Sequence, residues 1–128
     1  EVSEADLVLA GFWTDKGACD EQMKAFLNKL EHKRVALFGT AGFGGSGEYF
    51  DGILKRVSSN LPDSASLEGG FMCQGRMPLS VKQRYEKMLL EKPEDEHIKG
   101  MLGNFDAAST HPDEDDFAGI RDFVSRLL

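Results

Sequence analysis

"VALFGTAGFGGSGEYF", residues 35 to 50, decides how this chain folds. The apolar run Val35-Ala36-Leu37-Phe38 stops at Gly39. Five glycines fall between Gly39 and Gly47, and Glu48-Tyr49-Phe50 follows. A short unbroken apolar run suits a strand covered on both faces, as in a parallel sheet. A glycine-rich turn leading into helical periodicity is the junction beyond which such sheets bind ligands. Inside it, Gly42-Phe43-Gly44-Gly45-Ser46-Gly47 spells G-x-G-x-x-G, the dinucleotide fingerprint.

The pattern repeats on either side. Upstream, Leu7-Val8-Leu9-Ala10 reads as a strand closed by Gly11. Met23, Phe26, Leu27 and Leu30 then fall at i, i+3, i+4, i+7, the stripe of an amphipathic helix. Downstream, Phe50, Ile53, Leu54, Val57 and Leu61 make a second stripe, stopped by Pro62. A weaker strand spans residues 66–73, interrupted by Gly69 and Gly70. Ser80-Val81-Lys82-Gln83 spells a capping box, which predicts a helix with Val81, Tyr85, Met88 and Leu89 inward. Residues 92–112 are polar and weakly patterned, with one short helix expected around residues 98–102. Asp113 is placed to cap a last helix with the stripe Phe117, Ile120, Val124 and Leu127. Strands alternating with helices predict one α/β domain over residues 1–128, with helices on both faces of the sheet.

Composition narrows the function. With 41% hydrophobic and 29% charged residues the 128-residue chain reads as an ordinary globular protein. The net charge of −7 argues against a nucleic-acid partner, which needs clustered Lys and Arg, and is compatible with a basic protein partner or with plain solubility. No apolar run approaches the roughly 20 residues of a membrane span, so no membrane partner is expected. Cys19 and Cys73 have no C-x-x-C spacing and suit small buried side chains in a reducing cytoplasm. His32, His97 and His111 have no metal-ligand spacing.

The glycine loop does not read as a phosphate cradle. A phosphate wants the positive end of the following helix, and Glu48 already stands there. Asp20 and Glu21 open the previous helix in the same way. The loops offer aromatic faces instead: Trp13, the only tryptophan, on the first, and Phe43 and Tyr49 on or beside the second. Flat rings stack on planar ligands, and glycines let backbone groups approach a ring edge. Together they describe a slot for a planar, hydrogen-bonding heterocycle. Asp15-Lys16 reads either as a ligand contact or as a solvated turn, and Cys73-Gln74 as a packed strand end.

Four blocks carry a resemblance over essentially the whole chain: A-D-L-V-L-A-G-F-W-T-D-K-G, V-A-L-F-G-T-A-G-F-G-G-S-G-E-Y-F, G-G-F-M-C-Q-G-R-M-P and T-H-P-D-E-D-D. The chain resembles the flavodoxin family, most nearly the short flavodoxin-like FMN proteins of anaerobic bacteria of the bilirubin-reductase-associated type. The resemblance implies a three-layer α/β fold around a parallel sheet of order 2-1-3-4-5, with FMN as cofactor and electron transfer as activity. It implies that the isoalloxazine ring is held by Trp13, Thr14, Asp15, Lys16 and Gly17 on one loop. The second set is Thr40, Ala41, Gly42, Phe43, Gly44 and Gly45, with Tyr49 nearby. Trp13 matches the position that stacks on the ring; the other face falls to Phe43 or Tyr49. The chain departs from the family in one respect. The first strand-helix-strand segment and its T-x-T-G-x-T phosphate loop have no counterpart, so the domain reads as N-terminally incomplete and open to self-association.

The expected function is therefore an FMN electron carrier serving a reductase or oxidoreductase, with no catalytic acid, base or nucleophile of its own. Two alternatives stand beside it: a non-redox nucleotide-binding module using residues 42–47, and a cofactor-free interaction domain.

Overall fold

The computed structural model of the chain describes residues 2–44 and 46–128. After a single 3-10 turn at Val2–Glu4 come β1 (Leu7–Trp13), α1 (Glu21–Asn28), β2 (Arg34–Ala41), α2 (Gly47–Ser58) and β3 (Ser66–Gln74). Three helices follow: α3 (Leu79–Glu91), α4 (Glu96–Ala108) and α5 (Glu114–Leu127). The sheet is parallel throughout, in the order β1-β2-β3. This sequential order is what the 3-4-5 part of a 2-1-3-4-5 sheet requires.

Register decides which side chains share a face, because paired residues in parallel strands point the same way. Val8 pairs with Val35 and Ala10 with Leu37, and all four are buried. This face meets Leu27 of α1 and Ile53 and Val57 of α2, so both crossover helices lie on one side. Each such fully buried aliphatic side chain contributes about 1.5–3 kcal/mol of hydrophobic stabilisation. On the opposite side α5 packs on β3, with the rings of Phe71 and Phe123 6.1 Å apart. The molecule therefore has three layers.

The second face is covered less fully than unbroken apolar strands predict. Leu9, Phe38 and Phe117 keep 41%, 36% and 43% of their surface exposed, because α5 lies over β3 and not over β1. Phe117 thus stands at the margin of its helix's stripe, which is itself only half-buried.

Two local expectations change. The capping box at Ser80 does not form. α3 starts two residues earlier with Pro78 as its N-cap and no side-chain cap bond, which puts Ser80 inside the first turn. The stretch expected to hold one short helix carries the 13-residue α4, capped by Asp95, whose carboxylate accepts the Ile98 N–H at 3.1 Å. Ile98, Phe105 and Ala108 are its buried face. Gly100 and Gly103 dilute that stripe in the sequence, but packing against α3 overrides their poor propensity. The cap at Asp113 forms as expected, as a reciprocal box with Asp116.

Candidate functional site

The carboxyl ends of all three strands converge, and short hydrogen bonds fix the loops that leave them. After β1, the Thr14 N–H donates to the Thr40 carbonyl at 2.8 Å, extending the β1–β2 ladder by a step. Asp15 and Ala18 then exchange two backbone bonds, of 2.7 and 3.1 Å, around Lys16 and Gly17. Both central residues have positive φ, 52° and 83°, the conformation of a type I′ turn, which glycine adopts without strain. Arg56 of α2 donates its Nε–H to the Gly17 carbonyl at 2.7 Å, tying this turn to the next helix. The Asp15-Lys16 pair is thus a structured turn at the edge of the site.

The glycine loop is held from behind. The Gly42 carbonyl accepts from Gln74 Nε2 and from Asn104 Nδ2, each at 3.0 Å. Gln74 Nε2 also donates to Asn104 Oδ1 at 3.1 Å, closing a triangle between β3, α4 and the loop. A side chain at Gly42 has no room: a Cβ there would lie 2.5 Å from Met77 Sδ. The start of α2 is already satisfied, with Ser46 Oγ accepting the Tyr49 N–H at 3.0 Å and Glu48 in the first turn.

These loops enclose a cavity of about 710 Å³, within the range of small-molecule and cofactor sites. Of the residues singled out in the sequence, it brings together Trp13, Thr14, Asp15, Lys16, Gly17, Thr40, Gly42, Phe43 and Tyr49. Ala41 does not reach it, because the last residue of β2 turns into the core. Gly44 lies against the Gln74 side chain and is not on the cavity wall, and Gly45 falls outside the described residues. Trp13 is 58% exposed, unusual for the largest apolar side chain, and also lines a second cleft of about 390 Å³ toward Asp20 and Met23. Thr14 carries the one buried side-chain polar atom among the described residues that lacks a partner, its Oγ1. Such an atom costs about 1–3 kcal/mol unless something bonds to it.

A third wall was not legible as part of the site. Gly75, Arg76, Met77 and Pro78 of the loop after β3, with Val81, Arg84 and Tyr85 of α3, close the cavity. The rule that ligands sit beyond every strand end points to Gly75-Arg76, but Val81 and Tyr85 read as ordinary inward positions of a helix. The wall is positioned by backbone bonds, Gly75 N–H to the Ala41 carbonyl at 2.9 Å and Arg76 N–H to the His111 carbonyl at 3.0 Å.

Behind that wall His111 joins the start of α5. Its Nδ1–H donates to Asp116 Oδ2 at 2.6 Å, and Asp113 Oδ2 lies 3.7 Å away. The hydrogen bond to Asp116 holds the His111 pKa above its ordinary value. Burial alone would raise Asp116, but the bonds from His111 and from the Asp113 N–H outweigh it and hold the carboxyl low. The three side chains lie within 4.8 Å of one another, an arrangement accounted for by the capping of α5. Burial, then the nearby Asp116 and Asp113 carboxylates, push the Cys73 thiol up to about 11. It therefore stays protonated at neutral pH and lines an apolar groove with Phe71 and Phe117, away from the cavity. Among the described residues no helix is long and apolar enough to cross a membrane.

A parallel sheet with a ligand-sized, aromatic-walled cavity beyond its strand ends agrees with comparison to known proteins, in which the flavodoxin domain matches residues 1–125. The chain belongs to the flavodoxin domain family. It is 41% identical over 126 residues to the flavodoxin-like domain-containing protein BilS of Clostridium symbiosum (strain WAL-14163), covering 94% of this chain and 66% of that protein. It is 35% identical over 123 residues to the protein of the same description from Clostridioides difficile (strain CD3), covering 96% of this chain and 70% of that protein. This flavodoxin domain thus spans about two thirds of the length of the curated relatives it matches.

Proposed function

We propose that the cavity binds FMN through its isoalloxazine ring and that the protein works as a flavodoxin-type electron carrier. The observation that carries this reading is the 58% exposed Trp13 at the edge of a cavity that Phe43 and Tyr49 also line. A planar ligand in that cavity would cover the exposed indole with its own face. In this reading Trp13 stacks on one face of the ring and Phe43 or Tyr49 on the other. Backbone groups of residues 14–17 and 40–42 meet its polar edges, and the cavity walls exclude water. When bound, the flavin supplies one- or two-electron transfer, and the protein sets its orientation and surroundings. The starts of α1 and α2 disfavour the phosphate, since Asp20 and Ser46 each take up one of the free N–H groups and Glu21 and Glu48 add negative charge to the first turns.

The electron partner in this reading is a reductase or oxidoreductase with a basic docking face, drawn by the net charge of −7. Transfer between them should slow as salt rises. Two free cysteines suit a reducing cytoplasm. The test is titration of the purified protein with FMN, followed by Trp13 fluorescence and flavin absorbance. Saturable quenching by FMN and none by NAD is expected. Quenching by NAD and not by FMN would overturn the electron-carrier reading.

A further inference from the structure

The charge of the cavity is opposite in sign to the charge of the chain. Lys16, Arg76 and Arg84 line it, and Asp15 is its only carboxylate. None of the three cations forms an ion pair among the described residues. Elsewhere Arg34 pairs with Glu68, Lys99 with Glu96, Lys24 with Glu21 and Arg126 with Asp122, while Lys29, Lys55, Lys87, Lys92 and Arg121 likewise form no ion pair among the described residues. What distinguishes the three is that they converge on one cavity in a protein of net charge −7. Arg84 lies over the ring of Tyr85, 5.7 Å from its centroid, which restrains its planar fork beside a flat apolar surface. The first turn of α3 contains no acidic residue, whereas α1, α2, α4 and α5 each have one there. The repulsion that keeps an anion from the starts of α1 and α2 is therefore absent on this wall.

We propose that Arg76 and Arg84 form an oxyanion-binding wall of the cavity, taking the carboxylate or phosphate of a flat organic ligand whose apolar body lies along Val81 and Tyr85. The inference rests on the reading of this cavity as the ligand site and adds the charge class of what enters it. Guanidinium groups bind planar oxyanions through paired N–H donors, and a partly shielded cavity strengthens that bond over its value in open water. Two sources share the chemistry: the flavin's own phosphate, or a carboxylate on a separate electron-accepting compound.

Calorimetry with four probes tests it: 2-naphthoate, the neutral 2-naphthamide, FMN and riboflavin. Naphthoate is expected to bind about tenfold more tightly than naphthamide at low salt, an advantage that shrinks severalfold at about 0.5 M salt. The pair Arg76→Gln and Arg84→Gln should abolish that preference. The charge-matched pair Lys87→Gln and Lys92→Gln, both exposed, at the end of α3 and outside the cavity, should leave it. Arg76 and Arg84 are exposed, so unchanged melting temperatures will accompany both pairs.

If FMN also outbinds riboflavin and the arginine pair erases the difference, the anion held is the flavin's phosphate. If the two flavins bind equally, the wall serves a separate carboxylate. Equal binding of naphthoate and naphthamide together with equal binding of the flavins overturns the proposal. So does a naphthoate preference that survives loss of both arginines, or no binding of naphthoate at millimolar concentration. Failure of both flavins while the naphthoate preference stands would remove the FMN reading and leave the wall.

Discussion

The triangle of Gln74, Asn104 and the Gly42 carbonyl makes a quantitative prediction. It contains three hydrogen bonds: Gln74 to Gly42, Asn104 to Gly42, and Gln74 to Asn104. Each side chain takes part in two of them. At about 1 kcal/mol per bond, Gln74→Ala and Asn104→Ala should each cost about 2 kcal/mol. The double variant removes three bonds and should cost about 3 kcal/mol, not the sum of about 4. The coupling is the one shared bond, about 1 kcal/mol. Alanine raises the helix propensity of position 104 by up to about 0.7 kcal/mol, which lightens that single loss but cancels in the cycle. Urea denaturation of the four proteins gives all the terms, provided the slopes agree. Additive losses, with coupling below about 0.3 kcal/mol, would refute the triangle as a cooperative unit. So would a stability unchanged by Asn104→Ala together with an unchanged FMN titration, because α4 would then not hold the loop.

Other consequences follow from the same geometry. Trp13→Ala should weaken FMN binding about three- to tenfold, the worth of one stacked ring, with Trp13→Phe recovering part of it in a flavin fluorescence titration; an unchanged affinity would take Trp13 out of the site. Gly39→Ala would bring a Cβ to within 2.6–2.8 Å of the Phe12 ring and should cost about 1–3 kcal/mol, with Phe12→Leu in the same chain restoring much of it. His111 has a raised pKa, so its stabilising charge is fully present below its ordinary value of 6.5 and lost as pH rises through the raised one. Asp116 has a lowered pKa, so its contribution holds above its ordinary 3.8 and is lost as pH falls through the lowered one. The urea midpoint should therefore decline as pH rises above 6.5, and Asp116→Asn should flatten that decline. An identical slope in the variant would show that the pair does not couple to folding.

The layers of the fold were legible because strands and helices of this chain announce themselves by period. Val35 to Phe38 and the Met23–Phe26–Leu27 stripe could be assigned without knowing their neighbours, and the burial of Val35, Leu37 and Leu27 bears that out, although Phe38 stays partly exposed. The elements beyond β3 were less legible for two different reasons. At α4 two glycines lower propensity, and what stabilises the helix is contact with α3, which no local pattern contains. At α3 the S-x-x-Q motif is real as a sequence, but Pro78 supplies an extended residue two positions too early for Ser80 to act as the cap. The first two walls of the cavity were legible because loops after strands are where glycine and exposed aromatics stand out. The third was not, because Val81 and Tyr85 sit at helical spacing, and that spacing does not reveal whether a helix faces a core or a cavity.

The glycine loop shows what the structure adds to a motif. G-x-G-x-x-G works as a phosphate cradle when free N–H groups and the positive end of a helix face the ligand. Here Ser46 satisfies the first turn of α2, Glu48 adds a negative charge to it, and the Gly42 carbonyl is turned back toward Gln74 and Asn104. Glycine is needed at position 42 for a different reason, to admit Met77 from the third loop. The loop is thus a wall pressed between two segments, one from α4 behind it and one from the turn before α3 beside it. That assigns separate tasks to the two helices after β3. Asn104 of α4 sets the position of the glycine wall, and the arginines before and within α3 set the charge of the space it encloses. A change at Asn104 should then weaken naphthoate and naphthamide by the same factor, since it moves a wall without changing the charge. Loss of Arg84 should weaken naphthoate alone. If Asn104→Ala instead altered the ratio between the two probes, the division of labour between α3 and α4 would be wrong.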